Sequence, residues 1–354
     1  MRRDTIISSF KRIPRGLLIV MVLLLMTEGV LYLIRPNLIT NFWDKFLINE
    51  HVLLDMPGDY KYLIMGDSIQ KTGIDPTKVS EKILNLGLPG AKPMGLYLLL
   101  KRYLRKHSPP KAIFLYIDPE ESYDSRILIL KYFTTLPETA SIWRDLTWKE
   151  KGEFLLRYWV SFDTRKNWVT MIGRRARYPH ANSVFISEMK KNRGYMPFPN
   201  ADKEIAEDFF TKTGNRRQDK VSITERDMKY LDKFMELASS KNIKIVLLGL
   251  FIPEELHYIL SETGFEEDYM KFLRRVARLY PNTYIVEEPI TYLFNDCFGD
   301  MSHVNHNGSL VYTEYFKKQA FLPAEALDEP SPSIKQKQVV GGAGQRKEGL
   351  GEAM

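Results

Sequence analysis

The sequence predicts an α/β fold, a mainly parallel sheet with helices on both faces. Three observations predict it. Short apolar runs of strand length recur along the chain, each closed by a Gly, Asp or Pro signal. Stretches with helical spacing of apolar residues lie between them, and strand–helix alternation is the pattern of a parallel sheet. Once an apolar N-terminal segment and a polar tail are set aside, roughly 260 to 270 residues remain, enough for one large α/β domain or one with an inserted cap.

The N-terminal segment comes first. Arg2, Arg3, Lys11, Arg12 and Arg15 precede an unbroken apolar run, Leu17 to Met26. Thr27, Glu28 and Gly29 interrupt it, and Val30 to Ile34 resume it. Residues 17–34 are just long enough to span a bilayer as a helix. Glu28 costs about 2 kcal/mol near the centre of such a helix and less toward an interface. Positive charge stays in the cytoplasm, so residues 1–16 are expected inside and everything after Arg35 outside, in the periplasm or at the cell surface. A cleaved signal peptide is the rival, but no small-x-small cleavage site follows Met26, which favours a retained anchor. Residues 35–59, with Pro36 and Pro57-Gly58, are expected to be a juxtamembrane connector.

The body is expected over 60–325. Lys61 to Met65 is a first strand ending in Gly66, and Ile83 to Leu86 a second ending in Gly87. Met94 to Lys106 has helical spacing of Leu and Tyr. Ala112 to Ile117 is a third strand, stopped by Asp118-Pro119; Ile243 to Leu250 is a fourth and Thr283 to Val286 a fifth. Glu225 to Ser239 and Glu267 to Leu279 are helical between them. The stretch from about 120 to 220 breaks this rhythm. It is rich in aromatics (Trp143, Trp148, Tyr158, Trp159, Trp168) and basic residues (Arg165, Lys166, Arg174, Arg175, Arg177) and is expected to be an inserted helical cap over the sheet's C-terminal edge. It is either a bland elaboration or a substrate- or lipid-binding surface. Residues 326–354 turn to Pro, Ser, Gly, Lys, Gln and Glu and are expected to be a disordered tail.

Composition excludes several classes. The net charge is +7, but the basic residues are spread along the chain and none sits in a nucleic-acid motif. The single cysteine, Cys297, rules out an internal disulfide and leaves a small buried residue or a reactive thiol. No Walker loop is present and no Gly-x-Gly-x-x-Gly opens a helix, so no nucleotide cofactor is expected. Asp300, His303 and His306 have a spacing that permits a metal, yet no further Cys or His cluster completes a site, and none is expected. Glu120 and Glu121 after the third strand could pair as acid and base, but a solvated helix start is the better reading of them.

Three short pieces carry chemistry. Gly66-Asp67-Ser68 directly follows the first strand, and sites in open parallel sheets form at the carboxyl ends of strands. Asn85-Leu86-Gly87-Leu88-Pro89-Gly90 follows the second strand, where glycines let backbone approach a ligand. Near the C-terminus, Phe298-Gly299-Asp300-Met301-Ser302-His303-Val304-Asn305 offers a general base with a carboxylate three residues before it. Each piece alone is common by chance. Their order and their places at strand ends make the set specific.

In that order the sequence resembles the SGNH (GDSL) hydrolase superfamily. Gly66-Asp67-Ser68 matches its first block, with Ser68 as nucleophile, and the following Gly73-Ile74-Asp75-Pro76 is similar to membrane-linked branches. Asn85 through Gly90 resembles the second block, with Gly90 supplying an oxyanion-hole N–H. Asp300 and His303 match the last block, followed by Asn305 and Gly308. The resemblance implies a flavodoxin-like three-layer sandwich and a serine esterase or O-acyltransferase with a Ser68–His303–Asp300 triad, and Asp67, Asn85 and Gly90 as further site residues. One block departs: the Asn expected after the third strand is replaced by Tyr116-Ile117-Asp118-Pro119. Losing such a donor typically costs about 10²–10³ in rate. The departure is similar to branches near the alginate O-acetyltransferases and the D-alanine transfer proteins of teichoic acids. These imply a cell-envelope polysaccharide or lipid as partner and a multi-pass membrane acyltransferase beside it. The other expectation is an inactive envelope protein on the same fold, binding a glycan or a membrane partner.

Overall fold

The computed structural model describes residues 15–38, 42–119, 123–158, 181–199, 202, 204–205 and 221–326. The expected cytoplasmic stretch to residue 14, the tail from 327, Glu120, Glu121, and Trp159, Arg165, Lys166, Trp168, Arg174, Arg175 and Arg177 of the insertion lie outside the described residues.

Among the described residues seven strands follow the chain: β1 (Tyr62–Met65), β2 (Ile83–Asn85), β3 (Ala112–Leu115), β4 (Lys244–Leu247), β5 (Leu250–Pro253), β6 (Thr283–Ile285) and β7 (Ile290–Leu293). Five of them form one parallel sheet in the order β2-β1-β3-β4-β6. Every residue of β1, β2 and β3 is buried, as continuous apolar strands covered on both faces require. This order is that of a flavodoxin-like doubly wound sheet, whose crevice opens where the chain reverses direction, between β1 and β3.

The expected fourth strand is cut in two. Gly249 lies between β4 and β5, and a Cβ there would meet the Pro289 carbonyl oxygen at 2.0 Å. Only glycine permits that approach. Beyond it, β5 pairs in parallel with β7, a strand the sequence pattern had not marked.

The helices used below are α1 (Arg15–Leu38), α2 (Phe42–Leu54), α3 (Ser68–Gly73), α4 (Pro93–Lys106), α5 (Ala181–Lys191), α6 (Glu225–Ser240), α7 (Phe265–Leu279) and α8 (His306–Tyr315). Pro93 starts α4 where its missing N–H costs nothing. Thr224 caps α6 by accepting from Asp227 N at 3.1 Å. The buried face of α6, Tyr230, Leu231, Phe234, Met235 and Ala238, has the 3–4 spacing of an amphipathic helix. Short helices at Tyr123–Leu128, Leu136–Ile142 and Trp148–Tyr158 occupy the described half of the insertion. They are tied to α6 by Glu150, which accepts from Arg226 at 2.6 and 2.8 Å and pairs with Arg126.

Among the described residues no helix is long and apolar enough to cross a membrane. The expected span falls on α1, whose described side chains from Leu17 to Met26 are all apolar and all exposed. Residues 42–54, expected as connector, are α2, and Phe46, Leu47, Leu53 and Leu54 are buried in the main core.

Candidate active site

The site forms at the carboxyl ends of β1 and β3. Met65 pairs with Leu115, and Tyr116 N donates to Met65 O at 2.9 Å, so Gly66 and Tyr116 leave the sheet side by side. The chain then turns at once into α3. Asp67 caps this helix: its carboxylate accepts from Ile69 N at 2.8 Å, and its own N–H donates to Gln70 Oε1 at 3.2 Å. This reciprocal cap fixes the turn and sets Ser68 as the first helical residue.

The loop after β2 is bound to this turn. Leu86 N donates to Ile64 O at 2.8 Å and Leu88 N to Gly66 O at 2.9 Å. Gly87 lies so close that a Cβ would meet Lys71 N at 2.8 Å and Asp67 O at 2.9 Å. Asn85 is fully buried; its amide donates to Gln70 O at 2.8 Å and Ile74 O at 2.9 Å, and its Oδ1 accepts from Gly87 N at 2.9 Å. The side chain of Asn85 is thus committed to holding α3 against β2. Gly90, half-buried at the end of this loop, has φ +66°, in the left-handed region.

The C-terminal loop brings the third piece. Asn305 caps α8 by accepting from Gly308 N at 3.0 Å, and the preceding loop closes on itself through Gly299 N to His303 O at 2.9 Å. Asp300 Oδ1 accepts from Ser302 N at 2.8 Å and His303 N at 2.7 Å, so the carboxylate is locked to the loop backbone. It also reaches the imidazole, with Nδ1 at 3.0 Å from Oδ1 and 2.9 Å from Oδ2. On the other side of the ring, Nε2 lies 2.8 Å from Ser68 Oγ. The carboxylate fixes the tautomer with the proton on Nδ1, leaving Nε2 to accept from the serine hydroxyl.

The charges around this line are sorted by environment. Burial acts to raise the Asp300 carboxyl, but the hydrogen bonds from His303 and from the two backbone N–H groups outweigh it and hold it below the usual carboxylate range. Asp67 is the reverse case. Burial and the neighbouring Asp118 push it up to about 7, against the N–H of Ile69 and the charges of His303 and Lys92. Asp118, where the sequence offered only a repelling charge, accepts from Lys92 Nζ at 2.7 Å. Lys92 is 3% exposed and follows directly on the Gly90 loop, so a buried cation stands against that carboxylate. Sequence reasoning passed over Lys92. Its one signal was a lone charge inside the otherwise apolar stretch from Leu88 to Met94.

Two aromatic rings also reach the imidazole. Trp43 of α2 and Phe198 of the insertion each lie 4.9 Å from the His303 ring, tilted by 28° and 10° from its plane. The segment carrying Phe198 is fastened to the edge strand, where Asn85 N donates to Arg193 O at 2.9 Å, and to α8, where Tyr195 OH lies 3.1 Å from Ser309 Oγ. Nothing in the sequence spacing pointed to either ring.

The remaining candidates lie apart from this line. His306 is exposed at the start of α8. Among the described residues no three His, Cys, Asp or Glu side chains are grouped to hold a metal ion. Burial and Asp296 raise the Cys297 thiol to about 11, which keeps it protonated at neutral pH.

As arranged, the site can move a proton from Ser68 Oγ to His303 while Asp300 offsets the charge that develops on the ring. That is the machinery of a nucleophilic serine. The chain matches no protein-family model and no curated protein.

Proposed function

We infer that this chain is a serine O-acyl esterase or O-acyltransferase of the SGNH type, carried on a membrane anchor and acting outside the cytoplasm on a cell-envelope glycan or lipid. One observation carries the reading: the unbroken hydrogen-bonded line from Ser68 Oγ through His303 to Asp300. Ser68 attacks an acyl carbonyl and passes its proton to Nε2. His303 returns that proton to the leaving oxygen, and water or a sugar hydroxyl then resolves the acyl-enzyme. The N–H groups of Ser68 and Gly90 face the oxyanion. The strand order, the three blocks in sequence and the site's position at the β1/β3 crevice support the family reading. The anchor is supported by the exposed apolar side chains from Leu17 to Met26 on α1 and by the basic residues that precede them in the sequence. The described helices between Tyr123 and Lys191 support a cap.

A fluorophosphonate probe followed by peptide mass spectrometry tests this. The adduct is expected on Ser68 of the folded protein and absent from Ser68→Ala. A folded protein that stays unlabelled beside a labelled control enzyme would overturn it.

The absence of Asn at the third block favours a second reading, an inactive envelope-binding protein. Against it, the Lys92–Asp118 pair offsets the charge that would repel an oxyanion. A Ser68→Ala allele that fully complements a deletion strain would decide for the second reading.

A further inference from the structure

The helix that the sequence presents as a connector contributes a wall of the site. Phe42, Phe46 and Glu50 recur at i, i+4 and i+8 on α2, and its first turn also carries Trp43. Trp43 lies 4.9 Å from the imidazole of His303, and Phe198 lies 4.9 Å from the same ring and 6.0 Å from Trp43. The helix is fixed in place two turns further on. Glu50 and Lys71 are both 0% exposed and 3.6 Å apart, and Lys71 belongs to α3, the helix that Ser68 opens. Lys71 Nζ also donates to Asn85 O at 3.3 Å and stands 5.1 Å over the Phe46 ring. On its outer side α2 is held by Asn49, whose amide donates to Asn182 of α5 at 3.0 Å.

Asp300 and Ser68 hold the two nitrogens of the imidazole and Cβ holds its third corner, but hydrogen bonds at the ring edge are tolerant in angle and leave the ring plane some freedom to tilt through the side-chain torsions. Contacts on the ring face remove that freedom. A near-parallel aromatic face also favours the cationic ring that forms as the serine proton is taken. Catalytic groups lose rate steeply when their geometry loosens by fractions of an ångström.

We propose that Trp43 is a positioning residue for His303, so that α2 is a working part of the active site and not a tether. This rests on the serine-hydrolase reading given above. The test uses the full chain in phospholipid nanodiscs, with a soluble p-nitrophenyl acyl ester and Ser68 titrated by fluorophosphonate. Trp43→Ala is expected to lower kcat per titrated site about 10- to 100-fold with KM within about twofold, and Trp43→Phe to recover most of the loss. A second readout needs no turnover: the Nδ1 proton of His303, hydrogen-bonded to Asp300, is expected as a downfield NMR resonance that broadens in Trp43→Ala and returns in Trp43→Phe.

An unchanged kcat with an unchanged resonance overturns the proposal. So does a raised KM at constant kcat, which makes Trp43 a substrate contact, or a loss only of titratable sites, which makes it structural. If wild-type protein takes no label at Ser68, the hydrolase reading fails, and the resonance alone then decides whether Trp43 holds the ring.

Discussion

The loop Phe298–Asn305 and the helix Phe42–Leu54 meet at one imidazole, and they hold it by different physics. The loop works through short directional bonds. Asp300 takes two backbone N–H groups and the ring Nδ1 within a span of four residues, so its geometry depends on little beyond itself. The helix works through faces and buried charge. Trp43 is 260 residues away in sequence from the ring it contacts, and its placement depends on Phe46, on the Glu50–Lys71 pair and on the partner helix Ala181–Lys191. The loop therefore defines what chemistry is available, and the helix defines how tightly the reacting group is held.

The largest expected effect breaks the loop side. His303→Ala is expected to lower esterase turnover about 10³- to 10⁴-fold while the protein stays folded, because the lost group acts in proton transfer. Asp300→Asn is expected to cost a comparable factor by releasing the tautomer. Steady-state kinetics beside circular dichroism checks both, and retention of more than a tenth of wild-type kcat in either variant would remove the triad from the mechanism.

The next effect breaks the helix side and falls on stability. Lys71→Met leaves Glu50 buried without its counter-charge, which is expected to cost about 3–5 kcal/mol in chemical denaturation. Burial already pushes the Glu50 carboxyl up to about 7 despite Lys71, so the variant is expected to take up a proton on Glu50 and recover part of that loss in mild acid. Replacing both residues, Glu50→Leu with Lys71→Met, is expected to come within about 1–2 kcal/mol of wild type. A double variant as unstable as the single one would show that the pair does more than cancel its own charge.

The smallest effect separates buried charge from packing at the capped turn between the two regions. The folded-state value for Asp67 lies above that of the unfolded chain, raised from 3.8 to about 7. Between those values the folded protein binds more protons than the unfolded one, so the contribution of Asp67 is complete below about pH 4 and is lost as pH rises through about 7. Asp67→Asn keeps an acceptor for Ile69 N but does not titrate. Thermal midpoints across pH 4 to 8 are expected to rise for Asp67→Asn relative to wild type, with the gap widening toward the alkaline end. A difference that stays flat with pH would mean that Asp67 is ionised throughout.

Three carboxylates around one serine thus behave in three ways. Asp300 is held ionised by the groups it orients, Asp67 is driven toward neutrality by burial beside another acid, and Asp118 is matched by a buried lysine. Sequence alone presented Asp118 as a defect of the oxyanion hole. The charge of Asp118 is matched by Lys92, two residues after Gly90, and only the packing of the loop after β2 against the loop after β3 brings the two together.

What the sequence determined by itself is the part written in local spacing. The five strands of the main sheet, the helices at Pro93–Lys106, Glu225–Ser240 and Phe265–Leu279, and the first two blocks at the ends of β1 and β2 follow from periodicity and from turn residues within a few positions of one another, whereas the third block lies in a loop after the turn Asn295–Cys297. The break of the fourth strand did not. Ile243 to Leu250 reads as one strand, and the close approach of Gly249 to the Pro289 carbonyl, forty residues away, leaves no mark in that run. Tertiary structure alone decided that Phe42–Leu54 is core and not connector, that Trp43 and Phe198 face His303, that Lys71 is buried against Glu50, and that Asn85 braces the turn from within. Each of these depends on contacts between segments far apart in the chain, whose partners are chosen by the packing of the whole domain and leave no period in the sequence of either one.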